Sequence, residues 1–98
     1  MRAEESVSPT SQAPKARGDL SLQEVGEEGL LYDREGAMVH ILNRTALCAW
    51  RLCDGTRSPE AIASALEATF RGADPSRVRQ DVERILSEFR ERGILERA

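Results

Sequence analysis

The chain has 98 residues, with 14 basic against 17 acidic side chains and a formal net charge of −3. That length holds one domain at most, and no run approaches the ~20 apolar residues of a membrane span. Binding a phosphate lattice needs clustered cations, so a net acidic chain argues against nucleic acid as the main ligand.

Residues 1–18 (MRAEESVSPTSQAPKARG) hold Ser, Pro, Gln, Ala and charges, with Val7 as the single branched aliphatic side chain. Such a segment buries too little to offset its ordering entropy and reads as a disordered tail. It lacks the apolar stretch of a signal peptide. Residues 19–98 then form the domain, with eleven basic and fifteen acidic side chains. Thirteen of the fourteen basic residues are Arg, a composition suggestive of a GC-rich bacterial genome.

Asp19 to Val25 alternates Leu20 and Leu22 with polar neighbours and predicts a first strand. Gly26 to Gly29 turns the chain, and Gly29 to Asp33 (GLLYD) predicts a second strand. Arg34-Glu35-Gly36 is a tight turn in which Gly36 is free to take positive φ. Ala37 to Leu42 (AMVHIL) predicts a third strand. Both of its faces are apolar, so it is either sandwiched or waiting for a partner on one side.

Asn43 is a good N-cap for a first helix, Arg44 to Cys53, which turns Ala46, Leu47, Trp50 and Cys53 inward; Asp54-Gly55 stops it. Ser58-Pro59 opens a second helix with an apolar stripe of Ile62, Leu66 and Phe70. Asp74-Pro75 opens a third, to about Arg92, with Val78, Val82, Ile85, Leu86 and Phe89 on one stripe. Gly93 ends it, and Ile94-Leu95 folds back onto the core. The expectation is an α+β fold: a three-stranded antiparallel sheet followed by three α-helices, winged-helix-like in layout.

No catalytic constellation accompanies this layout. His40 is the sole histidine and has no carboxylate or cysteine partner in any metal-site or triad spacing, so it lines a cleft or surface. Cys48 and Cys53 are five apart in one helix, which suits neither a disulfide nor zinc, and they read as small apolar filler in a cytoplasmic protein. Trp50 reads as a core anchor and Asp54 as a turn former. There is no Gly-rich phosphate loop or paired-carboxylate pocket. A non-enzyme without cofactor or metal is expected.

Leu30 to Leu95 resembles the PqqD family. The resemblance rests on the hairpin closing at Gly36, the step Ile41-Leu42-Asn43-Arg44-Thr45-Ala46 and the stop Leu52 to Ser58 (LCDGTRS). It continues through Ile62 and Leu66, then Asp81 to Leu95. The family implies a recognition element for ribosomally made, post-translationally modified peptides. Such an element binds the leader of a precursor peptide and presents it to a modifying enzyme, often of the radical-SAM type. Pyrroloquinoline quinone is the product in the founding case.

A sheet edge offers unpaired N–H and C=O groups to which an extended peptide can add. The resemblance places the leader between Ala37, Met38, Val39, His40, Ile41 and Leu42 and the helix carrying Arg77, Val78, Asp81, Val82, Arg84, Ile85 and Glu88. Apolar leader side chains would meet Met38, His40, Leu42, Val78, Val82 and Ile85. For the flank of Arg77, Asp81, Arg84 and Glu88 two readings stand: Arg77 and Arg84 meet acidic leader residues, or the flank is solvated with internal ion pairs. An open edge also permits a monomer or a weak dimer. The alternative is a winged-helix DNA-binding regulator, disfavoured because Asp81, Glu83, Glu88 and Glu91 interrupt the cations that helix would need.

Overall fold

Alternating side chains and turn residues build the first half of the molecule, and capped helices build the second. The computed structural model describes residues 13–96. Strands β1 (Ser21–Val25), β2 (Glu28–Asp33) and β3 (Met38–Leu42) pair antiparallel in the order β1-β2-β3. Gly26 closes the β1–β2 turn at φ +62°.

The β2–β3 turn differs from expectation. Its left-handed residue is Ala37, at φ +51°, rather than Gly36. Asp33 gives the reason: its Oδ1 accepts the N–H groups of Glu35 at 3.1 Å and Gly36 at 3.2 Å. That local bonding fixes the front of the turn and leaves the reversal to Ala37, whose N–H donates to the Arg34 carbonyl at 3.3 Å. Ala37 therefore belongs to the turn, and β3 begins at Met38.

Three helices follow: α1 (Arg44–Leu52), α2 (Pro59–Thr69) and α3 (Pro75–Arg92). Each starts on a side-chain cap that satisfies an orphan N–H. Asn43 Oδ1 accepts from Ala46 at 2.9 Å, Ser58 Oγ from Ala61 at 3.1 Å and Asp74 Oδ1 from Ser76 at 3.0 Å. Gly93 ends α3 in the left-handed region at φ +72°, a conformation that costs a side-chain-bearing residue more.

The register decides which face of the sheet meets the helices. Leu31 pairs with both Leu22 and His40, and Gly29 with both Glu24 and Leu42. These residues share the inner face; Leu31, His40 and Leu42 are buried. Helix α1 lies close against Gly29, where a Cβ would stand 2.9 Å from Leu47 Cδ1. The centre of the core is Phe89, which meets Trp50 edge-to-face at 5.8 Å between centroids. Ile94 and Leu95 pack back onto the core as expected.

Residues 1–12 and 97–98 lie outside the described part, so the expected tail is seen only at 13–18. There it is held in place. Pro14–Arg17 runs between the end of α1 and the C-terminal segment, with bridges Lys15↔Asp54 and Ala16↔Leu95. The Ala16 N–H donates to the Cys53 carbonyl at 2.7 Å, the Arg17 N–H to Ile94 at 3.1 Å and the Glu96 N–H to Lys15 at 2.7 Å. The Arg17 guanidinium holds Asp19 at 2.6 Å, Asp33 at 3.3 Å and the Gly93 carbonyl at 2.8 Å. Main-chain bonds, the Arg17 guanidinium, the burial of Pro14 and the packing of Ala16 against the core hold this piece. Among the described residues, no helix is long and apolar enough to cross a membrane.

Candidate functional site

Strand β3 is paired with β2 on one side, and among the described residues no strand lies on its other side. Its outward groups follow from one contact. Arg92 of α3 donates from Nη1 to the Ile41 carbonyl at 3.5 Å, which fits a carbonyl that β2 leaves free. In an antiparallel pair the N–H and C=O of a residue point the same way, and the direction alternates along the strand. Ile41 and Val39 therefore direct their main-chain groups to the open edge. Met38, His40 and Leu42 direct theirs to Asp33, Leu31 and Gly29.

Side chains alternate in the other sense, through the sheet. Val39 and Ile41 stand on the outer face beside Tyr32 and Leu30, with Val39 48% and Ile41 61% exposed. His40 and Leu42 point into the core. The open edge thus carries two main-chain donors and two acceptors, with an apolar strip along its outer side.

The same Arg92 contact orients α3. At ~100° per residue, Arg92 lies between the buried stripe ending at Ile85 and Phe89 and the flank of Arg77, Asp81, Arg84 and Glu88. The opposite side carries Arg90, which is close enough to the Cys53 thiol to lower its pKa. Burial outweighs that influence and pushes the thiol up to about 12, so Cys53 is an inert core residue. The flank turned toward β3 is therefore the one with Asp81 and Glu88. Along it Arg84 is already engaged, with Asp81 at 3.7 Å and Glu88 at 3.2 Å.

The family model for coenzyme PQQ synthesis protein D (PqqD) matches residues 28–95. The chain belongs to the PqqD family. Two solved structures share the fold. One is TbiB1 in complex with the TbiA(β) leader peptide, at 21% identity and TM-score 0.72, covering 84% of this chain and 94% of that one. The other is the PqqD truncation of PqqCD from Methylobacterium extorquens, a stand-alone recognition element for ribosomally synthesized, post-translationally modified peptides. It stands at 24% identity and TM-score 0.69, covering 91% of this chain and 98% of that one. No curated protein matches the chain.

Within this PqqD domain the expected site residues divide. Met38, Val39 and Ile41 are exposed at the edge, and Arg77, Asp81, Arg84 and Glu88 line the exposed flank of α3 or its margin. His40, Leu42, Val78, Val82 and Ile85 are core residues, all at or below 8% exposed, so their side chains are not open to a peptide. Ala37 sits in the turn with its N–H bonded internally. The physical reason for the exchange of faces is that α1 packs on the His40–Leu42 side of the sheet and joins it to the core shared with α3. The apolar side chains left at the edge are Val39 and Ile41, and Met38 remains open at the strand's start.

Arg92 escaped the sequence reading. It stands one position before the Gly93 cap, where a cation reads as a partner for the helix dipole. The signal that finds it is its seven-residue separation from Ile85, which returns it to the β3 side of the helix. The LCDGTRS stop in the PqqD pattern proves structural. Asp54 Oδ1 accepts from the Thr56 N–H at 2.9 Å and its hydroxyl at 2.7 Å, while Oδ2 takes Arg57 at 2.7 Å. The two Thr56 bonds, more than Arg57, hold its carboxyl below the usual carboxylate range.

Proposed function

We propose that this PqqD-family domain is a non-enzymatic recognition element that binds the leader of a ribosomally made precursor peptide. It does so by strand addition to β3 and hands the peptide to a modifying enzyme, of the radical-SAM type by family resemblance. The observation that carries the reading is the open β3 edge. The main-chain groups of Val39 and Ile41 face away from β2, and among the described residues they meet nothing but one long contact from Arg92. An extended peptide satisfies those groups, and alternate side chains give it selectivity.

The leader's side chains opposite Val39 and Ile41 would extend the outer apolar strip of Leu30 and Tyr32. Those on the inner side would pass Met38 and then the flank of Arg77, Asp81, Arg84 and Glu88. TbiB1, which shares this fold, is a leader-peptide complex, and the Methylobacterium extorquens domain is a stand-alone recognition element. Both support the same reading for this chain. The domain works without catalytic residues: its chemistry is main-chain hydrogen bonding and apolar contact.

The test is a titration of the isotope-labelled chain with a synthetic leader from a small precursor frame beside its own gene. Low-micromolar binding is expected, about −8 kcal/mol, with amide shifts concentrated at 38–42 and on α3. A flat titration with that leader refutes the proposal.

A further inference from the structure

We infer that Arg92 is the specificity-determining residue of the β3 edge, selecting peptides that carry a carboxylate side chain next to the residue paired with Ile41. The inference rests on the peptide-binding reading above and names what that site prefers.

Five charged residues follow the β3 side of α3: Arg77, Asp81, Arg84, Glu88 and Arg92. In one of the two readings of this flank Arg77 and Arg84 meet acidic guest residues, but Arg84 is held between Asp81 and Glu88, which leaves the middle of the flank net negative. Arg92 has no carboxylate partner among the described residues. Its one side-chain hydrogen bond among the described residues is the 3.5 Å contact to the Ile41 carbonyl, at the outer limit of a useful bond.

That carbonyl is one of the acceptors an added strand must use. A guest N–H docking there at ordinary distance outcompetes the long Arg92 contact and releases a guanidinium with five donors in a fork. Its base is anchored: Gly93 caps the helix, and the Gly93 carbonyl accepts from Arg17 at 2.8 Å. The released guanidinium is therefore confined to the guest's inner side.

Alternation fixes which guest side chain it meets. The residue opposite Ile41 points outward, toward Leu30 and the apolar strip. Its immediate neighbours, opposite His40 and Leu42, point inward toward α3. A Glu or Asp at one of those positions pairs with Arg92, and a Lys there is repelled. The favoured guest has apolar residues two apart for the outer strip, with an acid beside the one that meets Ile41.

The probe is a displayed library of random twelve-residue peptides panned on the full chain. Recovered binders would be synthesised as fluorescent peptides, with amide shifts used to place them. Enrichment of Asp or Glu next to an apolar pair is expected. Arg92→Gln should then weaken the best binder about tenfold. Arg92→Glu should restore binding to that peptide's Glu→Lys form, a reversal that lost folding cannot mimic. Peptides that shift Val39 and Ile41 without acid preference, and bind Arg92→Gln as tightly as the original chain, overturn this inference and leave strand addition standing. A library yielding no peptide at the edge overturns both.

Discussion

The assignment of main-chain groups along β3 predicts opposite consequences for proline at two adjacent positions. At Val39 proline removes an N–H that points to the open edge, so the free protein loses no ladder bond. The preceding residue, Met38, is already in a strand and tolerates the restriction proline imposes. Val39→Pro should therefore stay within about 1 kcal/mol of the parent, because proline is accepted at edges whose N–H faces solvent. At His40 proline removes an N–H directed at Leu31, which is fully buried, and deletes a side chain that is 6% exposed. The stranded carbonyl and the emptied space together cost about 3 kcal/mol. For a domain of roughly 85 residues each kilocalorie shifts Tm by about 4–8 °C, so His40→Pro should melt about 12–24 °C lower. Leader affinity reverses the order. The guest carbonyl that would meet the Val39 N–H is left facing a ring, which costs about 1–3 kcal/mol, or roughly 5- to 150-fold in Kd. Thermal unfolding followed by circular dichroism checks the first half, and a peptide titration of Val39→Pro below its Tm checks the second. Equal destabilisation by the two prolines would refute the edge assignment without any peptide being needed.

Three further outcomes follow from single features. Ala37→Gly should stabilise by about 0.5–1 kcal/mol, since φ +51° strains an alanine and suits glycine; denaturant unfolding with an unchanged m-value is the readout. Phe89→Ala removes a fully buried ring packed on Trp50 and should cost about 3–5 kcal/mol, enough to leave the domain largely unfolded near 37 °C in a melt followed by Trp50 fluorescence. The Asp33 carboxyl is held below its ordinary pKa, first by the Gly36 N–H and further by Arg17. Its contribution to stability is therefore complete above the unfolded carboxylate value near ~4 and is lost as pH falls through the lower folded value. Asp33→Asn should flatten that part of an acid-stability curve, measured as the urea midpoint between pH 5 and pH 2.

The elements were legible because their punctuation is local. Asn43, Ser58-Pro59, Asp74-Pro75 and Gly93 each mark a helix boundary by satisfying or removing a specific backbone group, and all four act as read. The apolar stripe of α3 was equally plain, since Val78, Val82, Ile85, Leu86 and Phe89 are all buried. The face of β3 was not legible, because Met38-Val39-His40-Ile41-Leu42 is apolar on both sides and period-two alternation then carries no sign. The choice is made by α1, which packs on the sheet face that carries His40 and Leu42 and joins it to the core shared with α3. The hold on residues 14–17 was hidden for a different reason: much of it is main-chain bonds to residues 53, 55, 94 and 96, to which composition is blind.

On the proposed function, the turned-over face changes what kind of recognition this domain would perform. Had His40, Leu42, Val82 and Ile85 been open, a leader would have been gripped by deep apolar sockets, and large hydrophobic side chains would dominate its affinity. With those residues in the core, a guest added to the edge would gain main-chain bonds at Val39 and Ile41 and a shallow strip shared with Leu30 and Tyr32. Main-chain bonds are blind to sequence, and a half-exposed strip discriminates weakly among Val, Ile and Leu, because a methylene is worth only ~0.8 kcal/mol even when fully buried. Most of the selectivity would then fall to the charged side of α3. Two of its three cations matter there, because Arg84 is already neutralised by Asp81 and Glu88 while Arg77 and Arg92 stand at either end. Of these, Arg92 is the one in contact with the edge. Leu42→Ala should therefore act through folding, lowering the melting temperature while leaving the Kd of the folded fraction nearly unchanged. Ile41→Ala should act through binding, because it trims the outer strip at a residue that is 61% exposed and costs the free domain little. Deep-socket recognition predicts the reverse ranking of those two variants in a paired melt and titration.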